Sequence, residues 1–291
     1  MRESSIDPKK PEIWTVLKVL NWTREYLAEK GVENARLEAE WLLCAALSLD
    51  RVGLYLNFDK PLSEAELALY RGKVARRARR EPLQYILGTQ EFMGLEFVVT
   101  PAALIPRLDT EVLVEEALQR ANPAGRILDI GVGSGCIAVA LAKSLPQAEV
   151  CGVEKSPESM ALAARNAVKQ GARVTLFEGS LFEPFSGQRF DLIVSNPPYI
   201  PTADIEYLQP EVRDYEPREA LDGGVDGLDF YRLIIPAARD HLADGGWLLF
   251  EIGIGQAEPV RELFEKTGCY RELFTTKDHA GIERVVGGRF S

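Results

Sequence analysis

Asp129-Ile-Gly-Val-Gly-Ser-Gly135 follows a short apolar run, Arg126–Ile130, and precedes another, Ile137–Ser144. The first run has the length of a strand and the second the spacing of a helix, so the glycines sit where a strand hands over to a helix. Outward from that junction the alternation continues. Glu149–Glu154 reads as the next strand. Ser156 caps a helix that has Pro157 at its first position and stops at Gly171. Arg173–Phe177, Phe190–Ser195 and Trp247–Ile252 are three further strands. Strands apolar along their whole length and alternating with helices imply an α/β fold, a parallel sheet covered on both faces. The tail breaks the rhythm. Tyr270–Lys277 and Glu283–Val286, divided by His279-Ala-Gly281, predict an antiparallel C-terminal hairpin at the sheet edge.

Ligands of open parallel sheets bind at the carboxyl ends of strands. There, Gly131, Gly133 and Gly135 let the backbone turn tightly and approach a ligand that a Cβ would hold off. The dinucleotide spacing GxGxxG places its third glycine at position 136, which is Cys136 here, and this argues against a nicotinamide or flavin. Glu154 ends the second strand, where a carboxylate can accept both hydrogen bonds of a ribose diol. Asp129 can orient the loop and face positive charge. With no basic residue in the loop to meet phosphate, these features predict a nucleoside with a cationic tail rather than a diphosphate.

The fourth strand ends in Ser195-Asn-Pro-Pro-Tyr-Ile200. Two prolines lock φ and remove two N–H donors, which leaves carbonyls free to accept. Asn196 adds a side-chain carbonyl. A planar –NH₂ group could therefore give one hydrogen to Asn196 and the other to the Pro197 carbonyl, with the Tyr199 ring offering a face to stack on.

Taken together, Asp129–Gly135 and Asn196-Pro-Pro-Tyr199 resemble the class I S-adenosylmethionine methyltransferases that act on amino groups conjugated to planar systems. The tetrapeptide alone leaves adenine, cytosine and glutamine substrates open. Further blocks narrow the resemblance to the HemK/PrmC family, the peptide-chain release factor glutamine methyltransferases. These are Pro82-Leu-Gln-Tyr-Ile-Leu-Gly88, Ile105-Pro-Arg-Leu-Asp-Thr-Glu111, Tyr215-Glu-Pro217 with Ala220-Leu221, Asp226-Gly-Leu-Asp229 and Lys277-Asp-His-Ala-Gly-Ile-Glu-Arg284. The resemblance covers nearly the whole chain and implies a Rossmann-like catalytic domain. It implies S-adenosylmethionine contacts from Asp129, Gly131, Val132, Gly133, Ser134, Gly135, Glu154, Ser180, Leu181 and Asn196. It also implies chemistry at Asn196, Pro197, Pro198 and Tyr199, and substrate contacts from those four and Arg107. The implied substrate is the glutamine of the Gly-Gly-Gln loop of bacterial class I release factors. In two places the chain departs from the family pattern. Leu108 stands where a second proline is common, and Gly179-Ser180-Leu181 stands where an aspartate often meets the adenine amino group.

The first 80 residues carry helical spacing. Ile13, Val16, Leu17 and Leu20 recur at that spacing, as do Leu37, Trp41, Ala45 and Leu49. Ser63 and Glu66 form a capping box, with Leu62 and Leu67 placed as its staple. Three regions are expected: a helical recognition domain over 1–81, a β-hairpin linker over 82–107 built from Gln84–Val99, and a catalytic domain over 108–291. The formal net charge of −10 speaks against a duplex nucleic acid partner. The one basic cluster, Arg71–Arg80, reads as a solvated helix face, or as a contact for a nucleic acid or an acidic partner. Cys44, Cys136, Cys151 and Cys269 form no CxxC pair and read as small buried residues, and with two histidines, His241 and His279, no metal site is expected. A polar start and the lack of an apolar run of spanning length predict a cytoplasmic protein without a membrane segment, expected as a monomer. Three rivals remain: a ribosomal protein glutamine methyltransferase, a nucleic acid adenine methyltransferase, and a catalytically silent scaffold.

Overall fold

The computed structural model describes residues 13–291, and the chain divides into two compact units, one ending at Leu87 and the other spanning Gly88–Ser291. Among the described residues the first unit holds five helices: α1 (Val16–Glu29), α2 (Ala35–Leu47), α3 (Arg51–Leu56), α4 (Glu64–Arg77) and α5 (Leu83–Leu87). The capping box at Ser63 and Glu66 is formed in full. On α1 the predicted stripe turns Val16 and Leu20 inward and leaves Leu17 41% exposed. On α2 the predicted stripe is not the buried one. Leu37 and Trp41 are exposed, while Ala35, Ala39, Leu42 and Leu43 face the core. The small alanines let neighbouring helices close in, and the Tyr70 hydroxyl of α4 reaches the Ala39 carbonyl at 3.2 Å. Buried Glu40 lies on the same side of α2 and is met by Arg51, Arg36 and Tyr55. Part of the basic cluster fastens the unit, while Arg71, Arg76 and Arg79 remain exposed. Arg77 is buried in an ion pair with Glu38, Arg76 pairs with Glu81, and Arg80 donates to the Gly31 carbonyl.

The second unit opens with a hairpin of β1 (Thr89–Phe92) and β2 (Leu95–Val98). This is shorter than expected, because residues 83–87 are helical: the Pro82 carbonyl accepts from the amides of Tyr85 and Ile86 and starts α5. The turn is Met93-Gly94, both at positive φ, as a two-residue connection between twisted strands requires. Phe92 and Phe97 are fully buried in the core of the second unit, so the hairpin packs as part of it rather than as a free linker.

Then follow α6 (Glu111–Arg120), β3 (Arg126–Ile130), α7 (Cys136–Ser144), β4 (Glu149–Glu154), α8 (Pro157–Gln170), β5 (Val174–Glu178), β6 (Phe190–Ser195) and α9 (Pro210–Arg213). The chain closes with α10 (Asp229–Ala238), β7 (Leu242–Glu251), α11 (Ala257–Thr267), β8 (Tyr270–Lys277) and β9 (Glu283–Phe290). The sheet order is β5-β4-β3-β6-β7-β9-β8, with the first five strands parallel and the last two antiparallel. Successive residues serve opposite faces. Leu128, Ile130, Ile193 and Phe250 pack with α10 and α11, whereas Ile127, Leu192, Val194 and Leu249 pack with α6 and α7. Both faces are therefore apolar, which explains the unbroken apolar strands of the sequence. Among the described residues no helix is long and apolar enough to cross a membrane. Cys44, Cys136 and Cys151 are buried free thiols and Cys269 is half-buried.

Candidate active site

Strand β3 lies between β4 and β6, and the register pairs Ile130 with Val153 on one side and Ser195 on the other. The carboxyl ends of three strands therefore open side by side at the point where the strand order reverses, the favoured ligand position of such sheets. A cavity of about 640 Å³ lies there. Its walls include Gly131, Val132, Gly133, Ser134, Glu154, Ser180, Leu181, Asn196, Pro197, Pro198 and Arg107. The structure thus brings together most of the residues singled out in the sequence. Asp129, Gly135 and Tyr199 stand behind the wall rather than in it.

The glycine loop is held from several sides. Gly131, Gly133 and Gly135 all have positive φ. A Cβ on Gly135 would stand 3.1 Å from the backbone of Ala163, so the close approach of α8 also demands glycine there. The Glu154 carboxylate accepts from the amide of Gly133 on one oxygen and from Ser156 on the other, each at 3.0 Å. Each oxygen keeps a second lone pair able to accept, and Glu154 lines the cavity. Asp129 is fully buried. Its Oδ2 accepts from the Ala138 amide at the start of α7, and its Oδ1 has no hydrogen-bond partner. Burial, with the nearby Glu154 charge, pushes the Asp129 carboxyl up to about 7 against the pull of that amide. Asn166 of α8, which sequence reasoning passed over, ties the Ser134 carbonyl to both backbone groups of Val98.

On the other side of the cavity Ser180 gives its amide to Glu183 at 2.9 Å. Leu181 holds a positive φ of 51°, a strained conformation for a side chain of its size, at the cavity wall.

Beyond β6 the chain is braced by a strap, residues 105–111. Glu216, with its side chain 1% exposed, accepts from the Ile105 amide and pairs with Arg107. Arg107 thus has an internal partner while still lining the cavity. Asp109 pairs with Arg284 of β9 at 2.8 Å, and Glu111 accepts from the Met93 amide of the hairpin turn. Thr110 accepts from the Asn196 side-chain nitrogen at 3.3 Å. Three other sequence blocks converge on this strap, through Asn196, Glu216 and Arg284, and Leu108 projects away from it, 65% exposed.

Tyr199 does not present its hydroxyl to the cavity. The hydroxyl donates to Glu251 at the end of β7 at 3.2 Å, and the Tyr199 carbonyl accepts from Gln256 at 2.9 Å. Glu251 is fully buried. Burial pushes its carboxyl up to about 7, opposed by the hydroxyls of Thr110 and Tyr199 and by the Arg284 charge, and assisted by Asp109. Burial likewise drives the Tyr199 phenol up, so it stays protonated. Gly223 and Gly227 lie on the backbone of residues 198 and 199, where a Cβ would overlap it. The sequence signal for Glu251 was a lone charge ending the apolar run Trp247–Ile252; Gln256 left none.

A cavity between a glycine cradle with an acidic strand end and an Asn-Pro-Pro edge suits a nucleoside on one side and a flat amide on the other. Comparisons with known proteins agree. The model of the PrmC N-terminal domain matches residues 18–88, and that of the methyltransferase small domain matches 107–208. The release factor glutamine methyltransferase of Geobacter sulfurreducens is 74% identical over 281 residues, covering 97% of this chain and 99% of its own. The one from Moorella thermoacetica is 48% identical over 89% of this chain and 92% of its own. A methyltransferase structure from Pyrococcus furiosus, 20% identical, superposes with a TM-score of 0.53 over 74% of this chain and 98% of its own, which shows the shared fold. Identity that high over nearly the full length of both chains leaves one conclusion: this chain belongs to the release factor glutamine methyltransferase family.

Proposed function

We propose that this protein methylates the side-chain amide nitrogen of the glutamine in the Gly-Gly-Gln loop of bacterial class I release factors, in the cytoplasm, using S-adenosylmethionine. The observation that carries the reading is the placement of Asn196 and its two prolines at the end of β6, in one cavity with the glycine loop of β3.

Gly131–Gly133, Ser134 and Glu154 would hold the cofactor, Glu154 through its remaining lone pairs on the ribose, with Leu181 packing on the base. The orphaned Oδ1 of Asp129 beneath the loop places negative character on the same side, which fits a cationic group. When bound, S-adenosylmethionine supplies the methyl group as an electrophile and leaves as S-adenosylhomocysteine. The rest falls to the chain. An amide nitrogen is a weak nucleophile because its lone pair is shared with the carbonyl. Asn196 Oδ1 and the Pro197 carbonyl would each accept one N–H, twist the lone pair toward the methyl and stabilise positive charge growing on nitrogen. Oriented dipoles of this kind contribute about 2.7–4 kcal/mol per group, and alignment of the reactants contributes roughly 7–11 kcal/mol. The surplus proton leaves to water. Arg107, held by Glu216, lines the approach, and the helical unit is assigned to gripping the body of the release factor. A flexible loop of two glycines and a glutamine can thread a pocket of this width.

Tandem mass spectrometry of a purified class I release factor, incubated with the protein and S-adenosylmethionine, tests the reading. One added methyl on the Gly-Gly-Gln glutamine is expected. A release factor left unmodified, with the cofactor shown to bind, would overturn it.

A further inference from the structure

Pro197 and Pro198 have no N–H, so a backbone ladder cannot fasten the Asn-Pro-Pro-Tyr loop at those two positions. The loop hangs between two anchors. One is Ser195, which pairs in the sheet with Ile130 on one side and Phe250 on the other. The other is the turn of residues 251–256 that follows β7. Glu251 accepts the Tyr199 hydroxyl at 3.2 Å, and a Cβ on Gly253 would come within 3.1 Å of the Tyr199 ring. Gln256, 9% exposed, reaches the backbone itself. Its Nε2 donates to the Tyr199 carbonyl at 2.9 Å and to the Gly227 carbonyl at 3.3 Å, and its Oε1 accepts from the Gly253 amide at 2.9 Å. Carbonyls only accept and a backbone N–H only donates, so these three partners allow the Gln256 amide a single orientation. With φ locked at Pro197 and Pro198, few torsions remain between the anchors. Fixing the Tyr199 peptide therefore fixes where the Pro197 carbonyl points.

We propose that Gln256 is a positioning residue for methyl transfer: by tying the Tyr199 and Gly227 carbonyls to the Gly253 amide, it holds the Asn-Pro-Pro-Tyr backbone so that the Pro197 carbonyl meets the incoming glutamine amide. The proposal rests on the function given above. Gln256 stands outside the cavity wall and acts only through the loop.

The test compares two variants, each assayed well below its own Tm. Gln256→Glu keeps the length and the acceptor for Gly253 but removes both donors. Gln256→Met keeps the length and removes all three hydrogen bonds without adding charge. Both should lose about tenfold or more in kcat, the effect of a misplaced reacting group, with KM for the release factor and affinity for S-adenosylmethionine unchanged. A fall in Tm with full kcat in the folded protein, or a loss of cofactor affinity equal to the loss of kcat, overturns the proposal. A second readout needs neither variant nor turnover. In ¹⁵N-labelled wild type the Nε2 protons of Gln256 should exchange with solvent at least about tenfold more slowly than those of exposed Gln209. Equal exchange refutes the anchor. If the wild type methylates no release factor, the functional reading fails, while this signal still decides whether Gln256 holds the loop.

Discussion

Replacing Gly227 by alanine should damage the active site from behind. Gly227 has a φ of +76°, where an L side chain costs about 1–2 kcal/mol. The new Cβ would lie 2.3 Å from the Tyr199 carbonyl oxygen and 2.6 Å from the Gln256 nitrogen. The first of these is backbone and cannot swing aside. Overpacking of this kind costs about 1–3 kcal/mol. Displacing Gln256 also strains its 2.9 Å bond to Tyr199, worth about 1 kcal/mol. A destabilisation of roughly 3–6 kcal/mol follows, or a fall in Tm of roughly 6–24 °C for a unit of this size. Because the overlap falls on the Asn-Pro-Pro-Tyr backbone and not on the glycine cradle, kcat should fall at least about tenfold while S-adenosylmethionine affinity is kept. Gly171→Ala is the control: its φ is +60° but nothing lies within 4 Å of the new Cβ, so it should cost only the backbone term and leave kcat alone. Thermal melts, cofactor titration and single-turnover methyl transfer on all three proteins give the answer. Gly227→Ala no less stable than Gly171→Ala, with full turnover, would refute the reasoning.

Glu216→Gln should loosen the strap by removing the charge that holds Arg107, costing about 1–3 kcal/mol; kcat/KM for the release factor should drop, and steady-state kinetics at unchanged cofactor affinity would show it. In the helical unit, Arg51→Ala leaves Oε2 of the Glu40 carboxylate, 3% exposed, without the two N–H groups it accepts from and should cost about 1–3 kcal/mol, read by denaturant unfolding. Burial raises the Glu40 pKa, but the hydrogen bonds from Arg51, Tyr55 and Arg36 outweigh it and the net shift is downward, so its contribution to stability holds above 4.5 and disappears as pH falls through the folded value. Glu251 runs the other way. Its pKa is raised from 4.5 to about 7, so it binds its proton more tightly when folded, and its contribution is greatest below 4.5 and lost as pH rises toward 7. Glu251→Gln should flatten the decline in Tm across that window; an unaltered slope would show that Glu251 does not titrate there.

The central sheet was legible because both faces of each strand are apolar, and β3, β4 and β6 begin and end at the residues read from the sequence. Helix α8 was equally legible through local chemistry: Ser156 caps it by accepting from Ser159, and Gly171 ends it in a left-handed conformation. The face of α2 was not, since periodicity marks apolar positions but cannot show that a buried Glu40 with three partners occupies the inner side. The short helix α5 was hidden by β-rich composition around Gly88. At the site, positions on the cavity wall came from strand ends and glycines. What lies behind the wall comes from residues far apart in sequence: Glu216, Glu251 and Gln256 meet Arg107 and Tyr199 only through the fold. Sequence alone offered the Tyr199 ring and Asp129 to the ligand but was silent on their fixings, the Tyr199 hydroxyl on Glu251 and one Asp129 oxygen at the head of α7.

The most direct test of the account is the single-turnover rate of methyl transfer to the Gly-Gly-Gln glutamine by Asn196→Ala, measured beside its affinity for S-adenosylmethionine. The account predicts a rate lower by about two to three orders of magnitude, as for loss of one oriented acceptor in a dry site, with the cofactor bound as in the wild type. Transfer at an undiminished rate would contradict it.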